Sequence, residues 1–174
     1  METQQFFNFD PKDFHKSKIE CLRYRDLSNE HNDQANPQVS TILTASEDKF
    51  VKIWDRRSGK KEAQLQYGNM PFYSVDTNGQ VIAGGTDADL VFWDIRKIKV
   101  PLEVLDMSHN DDVTSVRFHP NPSYHQRVLT CSTDQMVNYF DFAGKPSMKE
   151  DDGVLEAVYR SDQALLDCGF ICNP

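Results

Sequence analysis

The sequence predicts an all-β fold built from a repeated unit of four short antiparallel strands. The first observation is a string that occurs three times, at 44–55, 83–94 and 130–141, in which an Asp-containing turn precedes a short apolar strand. The second observation is its spacing, because the turn Asp lies seven residues before a closing Asp in each copy. A fixed internal spacing is typical of repeat architectures. The three pairs are Asp48 and Asp55, Asp87 and Asp94, and Asp134 and Asp141.

The first repeat unit spans about residues 4–55. Its strands are indicated by alternating apolar residues, and its long connection by polar residues and an Asn-Pro pair. In chain order we expect an edge strand at 4–9, a strand at 15–24, a surface loop at 25–37, a strand at 38–45, the Asp48 turn and a strand ending at Asp55.

The second and third units span about 62–94 and 102–142, and an incomplete unit spans 154–174. Each begins with a polar-alternating segment of the kind found at a sheet edge. Asn78-Gly79 predicts a hairpin turn, and the acidic run at 150–152 predicts a solvated loop. The predicted strands are 62–67, 72–77, 81–84, 90–95, 101–107, 113–118, 127–131, 137–142 and 155–159.

A second pattern marks the opening strand of a unit. Apolar or aromatic residues follow a His at offsets of four, seven and nine residues. The pattern occurs after His15 and again after His109, and Leu165, Cys168 and Phe170 repeat its relative spacing near the end of the chain. The positions are Ile19, Leu22 and Tyr24 in the first case, and Val113, Val116 and Phe118 in the second.

Composition limits the classes of function. Apolar residues make up 39% of the 174 residues, which suffices for a packed core. The net charge of -8 argues against a nucleic-acid partner, since phosphate binding needs a basic face. No apolar run has the length of a membrane span, and the first residues do not resemble a secretory signal. We therefore expect an intracellular protein, in the cytoplasm, the nucleus or both.

The sequence predicts neither a metal site nor an enzyme. The four cysteines, Cys21, Cys131, Cys168 and Cys172, form no C-x-x-C pair and are typical of reduced cysteines in an intracellular protein. Catalytic metal-binding, phosphate-binding and nucleophile motifs are missing from the sequence. We expect no cofactor, because Gly84-Gly85 is explained by a strand end before a turn.

The four-strand units and their periods of 39 and 47 residues resemble the WD40 repeat, which forms the blades of β-propellers. The resemblance is strongest at Trp54-Asp55 and Trp93-Asp94, and at Ser108-His109 in place of the usual Gly-His. It implies a structural relay of hydrogen bonds between a His, a Ser or Thr, the turn Asp and a Trp. Such a relay is chemically sound, because Trp can only donate, the Asp carboxylate accepts, and the His between them can do both.

Carried over position by position, the relay is complete in the first unit, with His15, Thr44, Asp48 and Trp54. The second unit keeps Asp87 and Trp93 but has Gly68 and Ala83 at the other two positions. The third unit keeps His109, Thr130 and Asp134, and Phe140 replaces the Trp. We expect these residues to be structural.

A closer resemblance is to the WD repeat-containing protein 89 family. It rests on DADLVFWDIR at 87–96, SHNDDVTSVRFHP at 108–120 and VNYFDF at 137–142. Members of that family carry enough repeats to close a propeller, whereas this chain has about three and a half. The sequence therefore predicts a partial propeller, a fragment whose ring needs missing repeats or a further chain for closure.

Two functions follow from the resemblance. The first is a non-enzymatic scaffold that binds other proteins or peptides. The alternative is a substrate receptor for a ubiquitin ligase, because Trp54-Asp55-Arg56-Arg57 and Trp93-Asp94-Ile95-Arg96 both fit W-D-x-R. That motif resembles the docking signature for the cullin-4 ligase adaptor. Arg57 and Arg96 would contact the adaptor, or they merely cover the turn after the closing Asp.

Overall fold

The computed structural model describes residues 9–26, 40–56, 58–148 and 153–171. Within these ranges it consists of β-strands, turns and two three-residue 3-10 helices, Pro11–Asp13 and Pro122–Tyr124. The strands form three separate four-stranded antiparallel sheets, and we call each sheet a blade. In every blade the strands are neighbours in the order in which they follow along the chain. This arrangement confirms the predicted all-β fold.

The strand bounds are as follows. Blade 1 contains β1 (Ile19–Asp26), β2 (Ser40–Ser46), β3 (Val51–Asp55) and β4 (Lys60–Leu65). Blade 2 contains β5 (Ser74–Thr77), β6 (Val81–Gly85), β7 (Leu90–Asp94) and β8 (Glu103–Leu105). Blade 3 contains β9 (Ser115–Phe118), β10 (Arg127–Cys131), β11 (Met136–Asp141) and β12 (Leu155–Arg160).

The sheets and the sequence units differ in phase by one strand. Each predicted edge strand that opens a unit is the fourth strand of the preceding sheet, as β4, β8 and β12 show. The predicted strand at 4–9, apart from Phe9, lies outside the described residues, as do most of the loop at 25–37 and the acidic run at 150–152.

The prediction of an opening strand through Leu165, Cys168 and Phe170 is wrong. Residues 161–171 have no assigned strand. An opening strand obtains its ladder of hydrogen bonds from the second strand of its own sheet. Within the described part of the chain, no second strand of a fourth sheet is present.

The hydrophobic core lies between the blades. Side chains of β2 and β3 alternate, so that Leu43 and Ile53 face blade 2. They pack there with Val75 and Trp93. A second cluster joins blades 2 and 3, and it includes Phe92. Each fully buried large aliphatic side chain contributes about 1.5–3 kcal/mol, so the packing between neighbouring blades stabilises both of them.

Candidate functional site

The predicted relay residues of the first unit lie together in blade 1. Nδ1 of His15 is 2.9 Å from both carboxylate oxygens of Asp48, and Nε2 is 2.7 Å from Oγ1 of Thr44. Nε1 of Trp54 donates to the same Thr44 oxygen at 2.9 Å. One assignment satisfies every group: Trp54 donates to Thr44, Thr44 donates to Nε2 of His15, and Nδ1–H of His15 donates to Asp48.

Burial sets the charge state of this relay. It lowers the pKa of His15, against the opposing effect of Asp48, so that the imidazole stays neutral. Burial would also raise the pKa of Asp48. Hydrogen bonds from the Lys16 backbone and from His15, however, hold the pKa of this carboxyl below its usual value. The result is a fixed Asp carboxylate and a neutral His, an arrangement that orients side chains.

Blade 3 contains a shorter form of the relay. Nδ1 of His109 is 3.0 Å from Asp134, and Nε2 is 2.8 Å from Oγ1 of Thr130. Phe140 is fully buried at the place that Trp54 takes in blade 1, and its ring has no donor. Burial lowers the pKa of His109, and hydrogen bonds from Asn110 and Met136 help to hold the pKa of Asp134 low despite its burial.

In blade 2 the strand register puts a different residue at the Thr position of the relay than sequence spacing predicts. Trp93 pairs with Ile82, just as Trp54 pairs with Ile42, so the equivalent of Thr44 is Gly84 rather than Ala83. The cause is a shorter turn. Four residues separate Gly85 from Leu90, whereas five separate the equivalent pair in blade 1, Ala45 and Val51.

Blade 2 has an apolar contact at the position where blade 1 has its hydrogen-bonded relay. A Cβ atom on Gly84 would lie 3.0 Å from two ring carbons of Phe72 and 3.3 Å from the indole of Trp93. Phe72 is fully buried and its ring centre is 5.7 Å from that of Trp93. Asp87 contacts the Tyr73 hydroxyl, and burial, followed by the charges of Asp112 and Asp87, raises the pKa of Tyr73.

Sequence reasoning missed a buried lysine beside the first relay. The Lys52 side chain is 6% exposed, and Nζ donates to the carbonyl oxygens of Asp13 and Phe14 at 3.0 Å each. Asn138 holds the equivalent position in blade 3 and donates to the carbonyl oxygen of Ser108 at 2.6 Å. The available signal was a polar residue in the middle of an apolar closing strand.

The first and last blades each have one face that no neighbouring blade covers, although the equivalent faces between blades are buried. In blade 3, Val113, Val116 and Phe118 are at most 4% exposed because blade 2 covers them. The same offsets in blade 1 give Ile19, Leu22 and Tyr24, which are 50%, 57% and 47% exposed. We call these three residues the leading face.

The opposite end behaves in the same way. Leu65 of β4 pairs with Val51, and Leu105 of β8 pairs with Leu90; both leucines are at most 2% exposed. In blade 3 the equivalent residue is Tyr159, which pairs with Val137 and is 63% exposed. We call Tyr159, with the half-buried Leu129, Val137 and Tyr139, the trailing face.

The two arginines of the W-D-x-R motifs differ in what the structure describes. Arg96 lies just after β7, with its side chain 83% exposed. Its Nε and Nη2 groups donate to the two carboxylate oxygens of Asp94 at 3.0 and 2.9 Å. Hydrogen bonds from Arg96 lower the pKa of Asp94 to about 2. Arg57 lies outside the described residues.

The described ranges contain neither a metal-ligating cluster nor a membrane-spanning helix. No group of three or more His, Cys, Asp or Glu side chains there could hold a metal ion. No helix in the same ranges is long and apolar enough to cross a membrane. The relay residues are joined by hydrogen bonds inside the blades, and the two end faces expose apolar side chains.

Comparisons with known proteins agree with this geometry. The family model "WD domain, G-beta repeat" matches residues 13–55 and 100–141. The WD repeat-containing protein 89 homolog of Dictyostelium discoideum is 31% identical over 76% of this chain and 34% of its own length. The human nucleoporin Nup43 is 28% identical over 73% of this chain and 34% of its own length.

The fold is also found among solved structures. The crystal structure of the RRP9 WD40 repeats matches with a TM-score of 0.65 and 17% identity, over 87% of this chain and 41% of that one. The chain spans about a third of the length of the curated relatives that it matches. The predicted resemblance to WD40 proteins, and to the protein 89 homolog among them, is confirmed, and the chain belongs to the WD40-repeat family.

Proposed function

We propose that this chain, residues 1–174, is a non-enzymatic protein-interaction scaffold whose two end faces bind further WD40 blades. The observation that carries the proposal is the exposure of the leading face, Ile19, Leu22 and Tyr24, whose equivalents in blade 3 are buried. Exposed apolar side chains that form a contiguous surface indicate a protein-binding site. Closure of a ring removes such open faces.

The two interfaces inside the chain define the chemistry of the partner. Blade 1 presents Leu43, Ile53 and Leu65 to blade 2, and all three are at most 4% exposed there. The leading face of blade 1 is equivalent to the face of blade 2 against which these three residues pack. We infer that its partner is a four-stranded blade with aliphatic side chains at the same three positions, supplied by another part of a longer chain or by a separate one.

The relatives provide a probe for this proposal. This chain covers 34% of the Dictyostelium protein 89 homolog, so the remainder of that homolog can be expressed as a separate polypeptide. We expect the two polypeptides to form a 1:1 complex, detected by size-exclusion chromatography with light scattering. Leu22→Asp places a charge on the leading face and should weaken this complex at least tenfold, because burial of an unpaired charge is costly.

Val100→Asp is the matched control, because Val100 is 67% exposed but lies in the loop between β7 and β8, on neither end face. This variant should bind like the wild type. Failure of the wild-type chain to form a complex would contradict the proposal. Equal weakening by Val100→Asp and Leu22→Asp would contradict the assignment of the interface to the leading face.

A second candidate function is docking to the cullin-4 ubiquitin ligase adaptor, as in a substrate receptor. Its specific support is the exposed guanidinium of Arg96, which Asp94 holds in one orientation through two hydrogen bonds. A planar, oriented guanidinium suits recognition of a partner's carboxylate or carbonyl groups. The W-D-x-R pattern at Arg57 supports the same proposal from the sequence alone.

Biosensor binding of the purified adaptor tests this candidate. The wild-type chain should bind, and the double variant Arg57→Ala, Arg96→Ala should lose at least tenfold in affinity. Arg160→Ala is the control, because Arg160 is an exposed arginine of β12 outside both motifs. An adaptor that binds neither the wild type nor the double variant, or binds both equally, would exclude the docking function.

We also propose that the chain acts in the cytoplasm, in the nucleus or in both. The support is its similarity to Nup43, a protein named as a nucleoporin. Fluorescence microscopy of the tagged chain should show signal in one or both of these compartments. Signal confined to the secretory pathway would contradict this location.

A further inference from the structure

The segment that follows β12, residues 161–171, lies against blade 3. The backbone N–H of Leu165 donates to the carbonyl oxygen of Ser132 at 3.2 Å. Further along the segment, the ring centre of Phe170 is 6.5 Å from that of Tyr139, which belongs to the trailing face. These two contacts hold the segment to blade 3 near Leu165 and near Phe170.

The first of these contacts also occurs at each interface between blades. The N–H of Val113 donates to the carbonyl oxygen of Thr86 at 2.9 Å, and β9 begins two residues later. The N–H of Phe72 donates to the carbonyl oxygen of Ser46 at 3.1 Å, and β5 begins two residues later. By the same count from Leu165, residues 167–170 hold the place that β5 and β9 hold in their blades.

Side chains of blade 3 also bind the segment. The Ser115 hydroxyl donates to the Asp167 carboxylate at 2.6 Å, and Arg117 forms an ion pair with the same carboxylate. The Thr114 hydroxyl donates to the carbonyl oxygen of Leu165 at 2.7 Å. In the described part of the chain, however, no strand pairs with the segment.

The backbone N–H groups of β9 show which edge of an opening strand pairs with its own sheet. Successive groups alternate between the second strand of the blade and the opposite side. The N–H of His119 donates to the carbonyl oxygen of Arg127 in β10 at 2.9 Å. The N–H of Phe118 points the other way and donates to the Asp76 carboxylate of blade 2 at 2.8 Å. Alternate residues, counted back from His119, therefore pair with β10.

The corresponding edge of the segment is open. Gly169 and Ile171 hold positions whose equivalents in blade 3 pair with β10, so their N–H groups face the place of a second strand. Among the described residues, neither group donates a hydrogen bond. The N–H of Cys168, on the other side, donates to the Asp167 carboxylate at 2.9 Å. An open strand edge of this kind is a template for pairing with a further strand.

We propose that residues 167–170 form the innermost strand of the blade that covers the trailing face, and that the partner adds an antiparallel second strand along this open edge. The partner therefore supplies three strands at this end, in contrast to the complete four-stranded blade inferred for the leading face. In strand addition, main-chain hydrogen bonds provide affinity and side chains provide specificity. The inference rests on the proposed function, because it specifies how one of the two end faces binds its partner.

The second strands of the three blades indicate the side chains that the added strand carries. Three small residues lie at or just after the end of each, at 44–46, 84–86 and 130–132. The middle one pairs with the first residue of the opening strand in blades 2 and 3, as Gly85 does with Ser74. A Cβ atom on Gly85 would lie 2.7 Å from Val113, so space is short at this position. The added strand should therefore place a small residue opposite Asp167.

Hydrogen–deuterium exchange with mass spectrometry tests the proposal on the wild-type chain. The probe is the remainder of the Dictyostelium homolog, and light scattering measures complex formation separately. In the free chain, the backbone amides of residues 167–171 should exchange rapidly, whereas those of Arg127–Cys131 should exchange slowly. In the complex, exchange at 167–171 should become at least tenfold slower, and exchange in the loop 97–101 between β7 and β8 should not change.

A proline substitution tests the open edge directly. Gly169→Pro removes one of the N–H groups that would donate to the added strand. Gly169→Ala is the matched control, because it keeps this N–H and its Cβ would meet no atom within 4 Å. Gly169→Pro should bind the remainder of the homolog roughly fivefold more weakly than Gly169→Ala, as expected for the loss of one hydrogen bond. Both free chains should melt like the wild type.

Three results would overturn the proposal, and they differ in what else they contradict. A complex that forms while the amides of residues 167–171 still exchange rapidly would exclude strand addition and leave the proposed function intact. Equal affinity of Gly169→Pro and Gly169→Ala would do the same. Absence of any complex with the wild-type chain would contradict both strand addition and the proposed function.

Discussion

Thr44 holds the centre of the blade 1 relay, because its hydroxyl accepts from Trp54 and donates to His15. Thr130 bonds only His109 among the equivalent groups of blade 3, since Phe140 has no donor. Blade 2 has Gly84 at this position and uses the ring of Phe72 instead. The same backbone position is thus stabilised by two, one or no side-chain hydrogen bonds.

We predict that Thr44→Val destabilises the chain more than Thr130→Val. The first substitution leaves the Trp54 N–H and the His15 nitrogen without partners, and we expect a loss of about 2 kcal/mol in the free energy of unfolding. The second leaves only the His109 nitrogen unpaired, with an expected loss of about 1 kcal/mol. Urea denaturation followed by Trp fluorescence measures both, and equal losses would contradict this account of the relay.

The relays also predict how stability depends on pH. Folding lowers the pKa of His15 and of His109 below the usual histidine value of about 6.5, so the unfolded chain binds more protons as the pH falls through that value. The histidine contribution is therefore complete above about pH 6.5 and is lost as the pH falls below it. Folding also lowers the pKa of Asp48 and of Asp134, which removes further stability as the pH falls below about 4.

Urea denaturation at pH 7.5, 6.5 and 5.5 measures this dependence. The free energy of unfolding should fall at each step, and His109→Gln should reduce the slope because one titrating group is gone. A profile that is flat or rises toward pH 5.5 would show that the histidines are not held neutral.

At the scale of elements, the sequence predicted the strands well because each one is a short apolar-alternating segment between turn residues. The strand at Arg127–Cys131, for instance, has the predicted bounds. The residue at the Thr position of the relay in blade 2 was harder to predict. Spacing from Trp93 predicted Ala83 at the Thr position of the relay. The turn before Leu90 is one residue shorter than in blade 1, so Gly84 occupies that position instead. A deletion inside a turn changes the register, and the Asp-to-Asp spacing of the sequence does not reveal it.

We predict that Gly84→Thr, which copies the residue of blade 1, destabilises blade 2. The added Cβ would lie 3.0 Å from the Phe72 ring, and overpacking of this kind costs about 1–3 kcal/mol. Gly169→Ala is the control, because its Cβ would meet no atom within 4 Å. It should change the free energy of unfolding by less than about 0.5 kcal/mol.

Thermal or urea denaturation compares the two glycine variants. A second test combines Gly84→Thr with Phe72→Val, and the combined loss should be smaller than the sum of the single losses because the ring no longer occupies the space of the threonine. Strict additivity would indicate that the two residues do not compete for the same space.

At the scale of the whole molecule, identical local patterns have opposite environments. Leu22 and Val116 occupy the same offset of an opening strand, yet Leu22 is 57% exposed and Val116 is fully buried. The sequence predicted both strands, because the pattern is local. It could not predict their burial, because burial depends on whether a neighbouring blade covers that face.

We proposed that further WD40 blades cover the two end faces and complete this stack. Hydroxyl-radical footprinting with mass spectrometry tests it at individual side chains. In the free chain, Tyr24 and Tyr159, which are 47% and 63% exposed, should be modified much faster than Phe72 and Phe118, which are at most 4% exposed.

The same measurement is repeated with the remainder of the Dictyostelium homolog added. Tyr24 and Tyr159 should then become protected, while Phe72 and Phe118 stay unmodified. Modification of Phe72 or Phe118 as rapid as that of Tyr24 in the free chain, or unchanged modification of both tyrosines after the addition, would contradict it.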